Sequence, residues 1–157
     1  MPTPNGLPSL IAVGSDGWLW FTEAQANQIG RMPVRFFYTV TPCRLIDTRA
    51  PDGPLGGPAL DANTNRDFTV VGHCEIPRSA TSLSVNLTAT EQTAQGHLRL
   101  YPGGTTPPNA SSLNYVAGQT RANNAIVRLG AQGDLGIRCA QGAGTAHVII
   151  DVNGYFE

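Results

Sequence analysis

Between Ser82 and Ala89 the chain reads Ser-Leu-Ser-Val-Asn-Leu-Thr-Ala, and this strict alternation fixes the local structure. In an extended strand successive side chains point to opposite faces. Leu83, Val85, Leu87 and Ala89 therefore share one face, and Ser82, Ser84, Asn86 and Thr88 share the other. The strand is half-buried, with an apolar face turned to a core and a polar face turned away. Residues 146 to 152 carry Val148, Ile150 and Val152 on one side but Ile149 and Asp151 on the other, the pattern of a strand in the middle of a sheet.

Further strand-like runs recur along the chain: GWLWFTE, RFFYTV, CRLIDTR, RDFTVV, HLRLYP, SLNYV, NAIVRLG and DLGIRC, nearly all separated by turn residues. Only TEAQANQIG has helical composition, and it is too short to stand alone. From Val34 onward about nine strands fall within about 120 residues, the density of an antiparallel sandwich or jelly roll. A β-trefoil competes, but it needs three similar segments of about 40 residues, and no such copies align. The expected fold is all-β: an antiparallel β-sandwich or jelly-roll-like domain over residues 34–157, preceded by a β-hairpin and linker within residues 1–33.

Composition agrees. The 157 residues are 41% hydrophobic, enough to fill one core but not two domains. Charged residues are only 13%, about half the usual share, and 18 Gly and 12 Pro supply tight turns. A net charge of -1 gives no electrostatic case for nucleic acid or an anionic membrane as partner. All ten basic residues are arginine, which removes lysine Schiff-base chemistry. No run approaches the roughly 18 apolar residues of a membrane span. The opening MPTPNGLPSL has neither a basic nor an apolar signal region, so the expectation is that the export signal belongs to a longer parent protein.

Cys43, Cys74 and Cys139 contain no CxxC pair for zinc or redox work. Cys43 precedes one predicted strand and Cys74 follows another, so a bridge between them would tie down the long Pro/Gly loop they enclose. That pairing suits an exported domain, and it leaves Cys139 as a small buried thiol.

Two groups of motifs resemble known proteins. FFYTVTPCRLIDTR, CEIPRSATSLSVNLTAT, GHLRLYPGG, SSLNYVAGQTRANNAIVRLG and HVIIDVNGYF, in that order over roughly residues 35 to 157, resemble an accessory β-domain of large secreted proteins from GC-rich bacteria. The resemblance implies an extracellular or cell-surface address and no established activity. GSDGWLWFTEAQANQIGRM is similar to one blade of virginiamycin B lyase-type propellers: Asp16 and Gly17 match the turn, Trp18 to Glu23 the first strand, and Asn27 to Arg31 the second. One blade cannot close a propeller, which needs about four to eight. No lyase residue carries over. A hairpin bearing Trp18, Leu19, Trp20, Phe21 and Ile29 is expected to be covered either by its own domain, the favoured arrangement, or by another copy, which would make residues 15–32 a contact for homo-oligomers.

Candidate sites are sparse. Arg44, Asp47, Thr48 and Arg49 form the densest polar cluster, and pairing of Asp with Arg across a sheet is the expected role. Asn86, Asn114, Asn123, Asn124 and Asn153 suit turns and strand edges. Alternatively they line a sugar site with Tyr101, Tyr115 and Tyr155. A ligand-binding edge gathering Arg49, Asn114, Tyr115, Arg121 and Asn123 is expected, because these positions adjoin two Gly/Pro loops. Asn86-Leu-Thr88 and Asn109-Ala-Ser111 match the glycosylation acceptor pattern, which means little in a bacterial protein. DTRAPDG and DANTNRD offer oxygen ligands without the DxDxDG order. Local turn bonding comes first there, calcium stays open as a ligand, and no other cofactor or metal is expected. His73, His97 and His147 lack HxH or HxxxH spacing, and no GxSxG elbow is present.

Three functions fit. The first is a non-catalytic extracellular or cell-surface module that binds a polysaccharide or a protein. The second is a structural module that self-associates through the N-terminal hairpin into an oligomer or filament. The third is a small metal-dependent enzyme using His73, His97 or His147.

Overall fold

A computed structural model describes residues 3–157. The described residues form two compact units, divided between Phe36 and Phe37. They contain no helix, and so none long and apolar enough to cross a membrane.

The first unit is a three-stranded antiparallel meander of β1 (Pro8–Val13), β2 (Trp18–Glu23) and β3 (Gln28–Pro33). The hairpin expected over residues 15–32 is thus two-thirds of a larger element. Its additional strand, PSLIAV, has no apolar-polar alternation to announce it, and its register against β2 shifts between Pro8 and Ile11. Directly paired residues share a face, so the rows Val13–Leu19–Met32 and Ile11–Phe21–Gly30 make one side of the meander apolar. On the other side Arg31 lies over the rings of Trp18 and Trp20, 4.7 and 5.5 Å from their centroids. The Trp20 indole N–H donates to Asp16 Oδ1 at 3.1 Å.

The second unit contains β4 (Phe37–Asp47), β5 (Leu60–Asp61), β6 (Asn65–Thr69), β7 (Ser82–Thr90), β8 (Gly96–Pro102), β9 (Leu113–Tyr115), β10 (Arg121–Arg128), β11 (Asp134–Gln141) and β12 (Thr145–Phe156). One sheet runs β10-β7-β12-β4, with β5 also paired to β12, and the other runs β6-β11-β8-β9. Every strand pairing is antiparallel. The partners nest about one turn: β8 pairs with β9, β7 with β10, β6 with β11 and β4 with β12. That is a long hairpin rolled over itself, the jelly-roll form of the β-sandwich.

The inner faces follow the period-two reading. Leu83, Val85, Leu87 and Ala89 are all buried, while Ser82, Ser84, Asn86 and Thr88 between them are half-exposed. β12 lies between β7 and β4 with Val148, Ile150 and Val152 fully buried on the inner face, and Ile149 is 6% exposed on the outer one. Leu98 and Leu100 from β8, Leu135 and Ile137 from β11, and Phe68 from β6 meet them from the second sheet.

Two predicted strands, RFFYTV and CRLIDTR, are one continuous β4. Pro42 would interrupt a central strand, but β4 is a sheet edge and its pairing with β12 shifts register between Val152 and Gly154, so the missing N–H costs no ladder bond. Cys43 and Cys74 are disulfide-bonded, 31 residues apart, and Cys139 is free and buried.

Candidate functional site

The jelly roll has two outer faces. On the larger sheet, rows across the strands place Asn124, Asn86, Asp151 and Arg44 side by side, with Thr88, Ile149 and Asp47 in the next row. The charges here neutralise one another. Arg49 clasps Asp47 through two bonds, Nε to Oδ1 at 2.9 Å and Nη2 to Oδ2 at 2.7 Å, while Arg44 Nε donates to Asp151 Oδ1 at 2.9 Å. The Arg49 guanidinium holds the Asp47 carboxyl down at about 2. Thr48 is buried, where its hydroxyl accepts from the Val148 N–H and lies 3.1 Å from His147 Nδ1. This cluster joins β4 to β12 and has the structural role expected of it.

The smaller sheet differs. Leu98 and Leu100 face the core, so His97, Arg99 and Tyr101 face outward from β8; likewise Gly136, Arg138 and Ala140 face outward from β11. The register sets Arg99 opposite Arg138, His97 opposite Ala140 and Tyr101 opposite Gly136. A groove of about 690 Å³ lies here, with Asn63, Gln95, His97, Arg99, Arg138 and Gln141 among its lining residues.

Two glycines allow this surface to close over the core. A Cβ on Gly136 would sit 2.4 Å from the Tyr101 ring, so only glycine lets that ring lie flat across β11, where it is 3% exposed. A Cβ on Gly96 would meet Gln141 Cβ at 2.6 Å. Gly96 stands between Tyr115 and Gln141 in the ladder, and the Tyr115 hydroxyl reaches over it to Gln141 Oε1 at 2.8 Å. The same hydroxyl is 3.5 Å from Cys139 Sγ. Burial pushes both the Tyr115 phenol and the Cys139 thiol up, so both are neutral, packed groups.

In the groove, Arg99 Nε donates to His97 Nε2 at 3.0 Å, which requires a neutral imidazole. Burial first, then the charges of Arg99 and Arg138, lower the His97 pKa and keep it so. Arg99 Nη1 donates to the Pro108 carbonyl at 2.9 Å. Arg138 Nη1 donates to the Asn63 carbonyl at 3.2 Å and to Asn65 Oδ1 at 3.0 Å. Among the described residues no carboxylate pairs with either guanidinium. Asp67, on the same face, accepts from the Gly104 N–H at 2.8 Å.

The expected ligand-binding edge is not one site. Asn114 is exposed beside His97, but Tyr115 lies in the core at 5% exposure with its hydroxyl satisfied. Asn123 Nδ2 donates to the Ser112 carbonyl at 2.8 Å, tying β10 to the segment before β9. Arg121 is exposed at the start of β10. Arg49 belongs to the opposite edge of that sheet, three strand spacings or about 14 Å from Arg121. The alternative sugar platform of Tyr101, Tyr115 and Tyr155 does not form either: the first two rings are buried, and Tyr155 stacks on Tyr38 with centroids 5.3 Å apart.

The three histidines do not converge. His97 is on the outer face of the smaller sheet, His147 on the outer face of the larger one, and His73 in an exposed turn after β6. Among the described residues no three His, Cys, Asp or Glu side chains gather as for a metal ion. In DANTNRD Thr64 Oγ1 serves a local turn, donating to the Asp61 carbonyl at 2.8 Å, and Asn63 Nδ2 donates across the fold to the Gln141 carbonyl at 2.9 Å.

Arg99 and Arg138, the charged groups of the groove, were not singled out by sequence. The alternation in HLRL and GIRC does place both outward, but the pairing register that sets them face to face is not visible in either segment alone.

No family model and no curated protein matches the chain. Among solved structures it is similar to the coat protein of Tobacco streak virus, at 15% identity over 76% of this chain and 85% of that one, with a TM-score of 0.39. A structure of the coat protein dimer of the same virus is similar at 13% identity over 76% of this chain and 86% of that one, with a TM-score of 0.36.

Proposed function

We propose that this protein is a non-catalytic extracellular or cell-surface binding module whose ligand, a polysaccharide, lies in the groove on the outer face of the smaller sheet. The observation that carries this reading is the groove's lining. It offers amide and guanidinium hydrogen-bonding groups from Asn63, Gln95, Arg99 and Arg138, with no carboxylate among its lining residues. Such a surface suits hydroxyl-rich ligands. The Cys43–Cys74 bridge supports an oxidising compartment, as does the resemblance to accessory domains of secreted proteins.

The test is retention of the full chain on a panel of neutral and acidic polysaccharides. Ala140, half-exposed on the groove floor, is replaced by Trp to fill the groove. Retention of the parent protein with at least tenfold loss in Ala140→Trp is expected. Equal retention by both proteins would move the ligand elsewhere, and no retention on any polysaccharide would defeat the reading.

Self-association through the N-terminal meander is a second reading, favoured by one observation: Leu10, Ile11, Val13 and Ile29 are each at least 65% exposed. Ile11 and Val13 share one face of the meander and Ile29 lies on the other, and monomers rarely leave that much apolar surface in water. Sedimentation should show a mass that rises with concentration and falls to the monomer in Ile11→Glu/Ile29→Glu. A monomer at every concentration would end this reading.

A further inference from the structure

We propose that the groove recognises the carboxylates of a uronic-acid-containing polysaccharide, held between Arg99 and Arg138. This rests on the binding-module reading and narrows it to one ligand chemistry. Two guanidiniums stand directly opposite on neighbouring strands, β8 and β11, and like charges in that position repel. Both side chains are half-buried, so water screens them only in part. On the larger sheet Arg49 has Asp47 and Arg44 has Asp151. On the smaller sheet the pair has none among the described residues.

Their hydrogen bonds fix the two guanidiniums without using them up. Arg99 is held by His97 Nε2 and the Pro108 carbonyl through Nε and Nη1, and Arg138 by the Asn63 carbonyl and Asn65 Oδ1 through Nη1 alone. Among the described residues no hydrogen bond occupies Arg99 Nη2 or Arg138 Nε and Nη2. Arg138 therefore keeps the Nε and Nη2 fork that meets both oxygens of a carboxylate, and Arg99 adds a third donor from across the ladder. An anion placed there removes the repulsion between the two cations. The ligand's remaining hydroxyls meet Gln95 and Asn63 along the same groove.

A saccharide is favoured over an acidic peptide by what else the lining offers. A peptide would seek apolar pockets for its side chains or an open strand edge for its backbone. The lining is mostly polar, and both β8 and β11 have partners on either side.

The experiment titrates the full chain with oligogalacturonate, oligoalginate and a glucuronate-containing oligosaccharide, and with the methyl ester of the first. Poly-glutamate is the peptide control. The expected result is binding to at least one oligouronate and loss of at least tenfold on esterification. Arg138→Gln and Arg99→Gln should each lose at least tenfold, with thermal midpoints close to the parent's. The His97 imidazole resonances should move on binding, and its pKa should rise as the anion offsets the two arginine charges. Equal binding of ester and acid, with Ala140→Trp still blocking both, would overturn the carboxylate inference and leave the binding-module reading standing. Equal binding of poly-glutamate would overturn the saccharide class. Failure of all three oligouronates while a neutral polysaccharide is retained also overturns the inference alone, whereas failure of every polysaccharide ends both.

Discussion

Replacing Tyr115 by alanine should destabilise the jelly roll by about 3–5 kcal/mol, the range for removing a large aromatic side chain from a packed core. The ring is 5% exposed and packs with the buried residues of both sheets. Its hydroxyl is the hydrogen-bond donor to Gln141 Oε1, and Gln141 itself is 5% exposed, so alanine leaves both a cavity and an unsatisfied carbonyl. Tyr115→Phe keeps the ring and isolates the second effect, with an expected cost of about 1–2 kcal/mol. Urea unfolding of the three proteins measures both. Arg121→Ala, at an exposed strand end, should lie within about 0.5 kcal/mol of the parent and serves as the surface control. A shift below about 1 kcal/mol for Tyr115→Ala would mean that the ring is a solvent-facing platform, as the sequence alone suggested.

The contrast between Tyr115 and Leu83 shows how far the sequence could be read. Leu83 belongs to a strand whose alternation spans eight residues, so its face was fixed by local geometry. Tyr115 belongs to the three-residue strand β9, too short for a period, and its neighbours Asn114 and Val116 are both exposed. What buries it is Gly96 in the facing strand, which lets Tyr115 and Gln141 meet; that is a property of pairing, invisible in either segment. The same holds for Arg99 and Arg138. Each faces outward by its own alternation, but only the ladder between β8 and β11 makes them a pair. Strands with clear alternation, the faces they bury and the disulfide were legible because they depend on neighbours in sequence or on loop closure, whereas β1, without alternation, was not. Nesting of four hairpin partners around one turn depends on contacts as distant as β4 with β12, and nothing in a strand's own residues names its partner.

Breaking the Cys43–Cys74 bridge should cost about 3–4 kcal/mol, because it closes a loop of 31 residues and its removal returns that freedom to the unfolded chain. The position adds to the effect. Cys43 lies on β4, an edge of the larger sheet, while Cys74 follows β6, an edge of the smaller one, so the bridge ties the loop beyond one sheet to the edge of the other. Cys74 and Glu75 are both held at positive φ, 49° and 61°, a region that side-chain-bearing residues occupy only when their surroundings require it. Without the bridge this turn has a reason to relax. Between the two cysteines, however, Arg66 donates to the carbonyls of Gly53, Gly57 and Pro58, and these bonds organise the Pro/Gly loop without the disulfide. The two contributions separate in a cycle of Cys43→Ser/Cys74→Ser, Arg66→Gln and the triple variant, read by urea midpoints. A serine variant that matches the parent would show that Arg66 alone organises the loop. If the serine variant loses the expected stability and Arg66→Gln adds a further loss of its own, the bridge and the guanidinium act on different parts of the same loop, one at its ends and one at its middle.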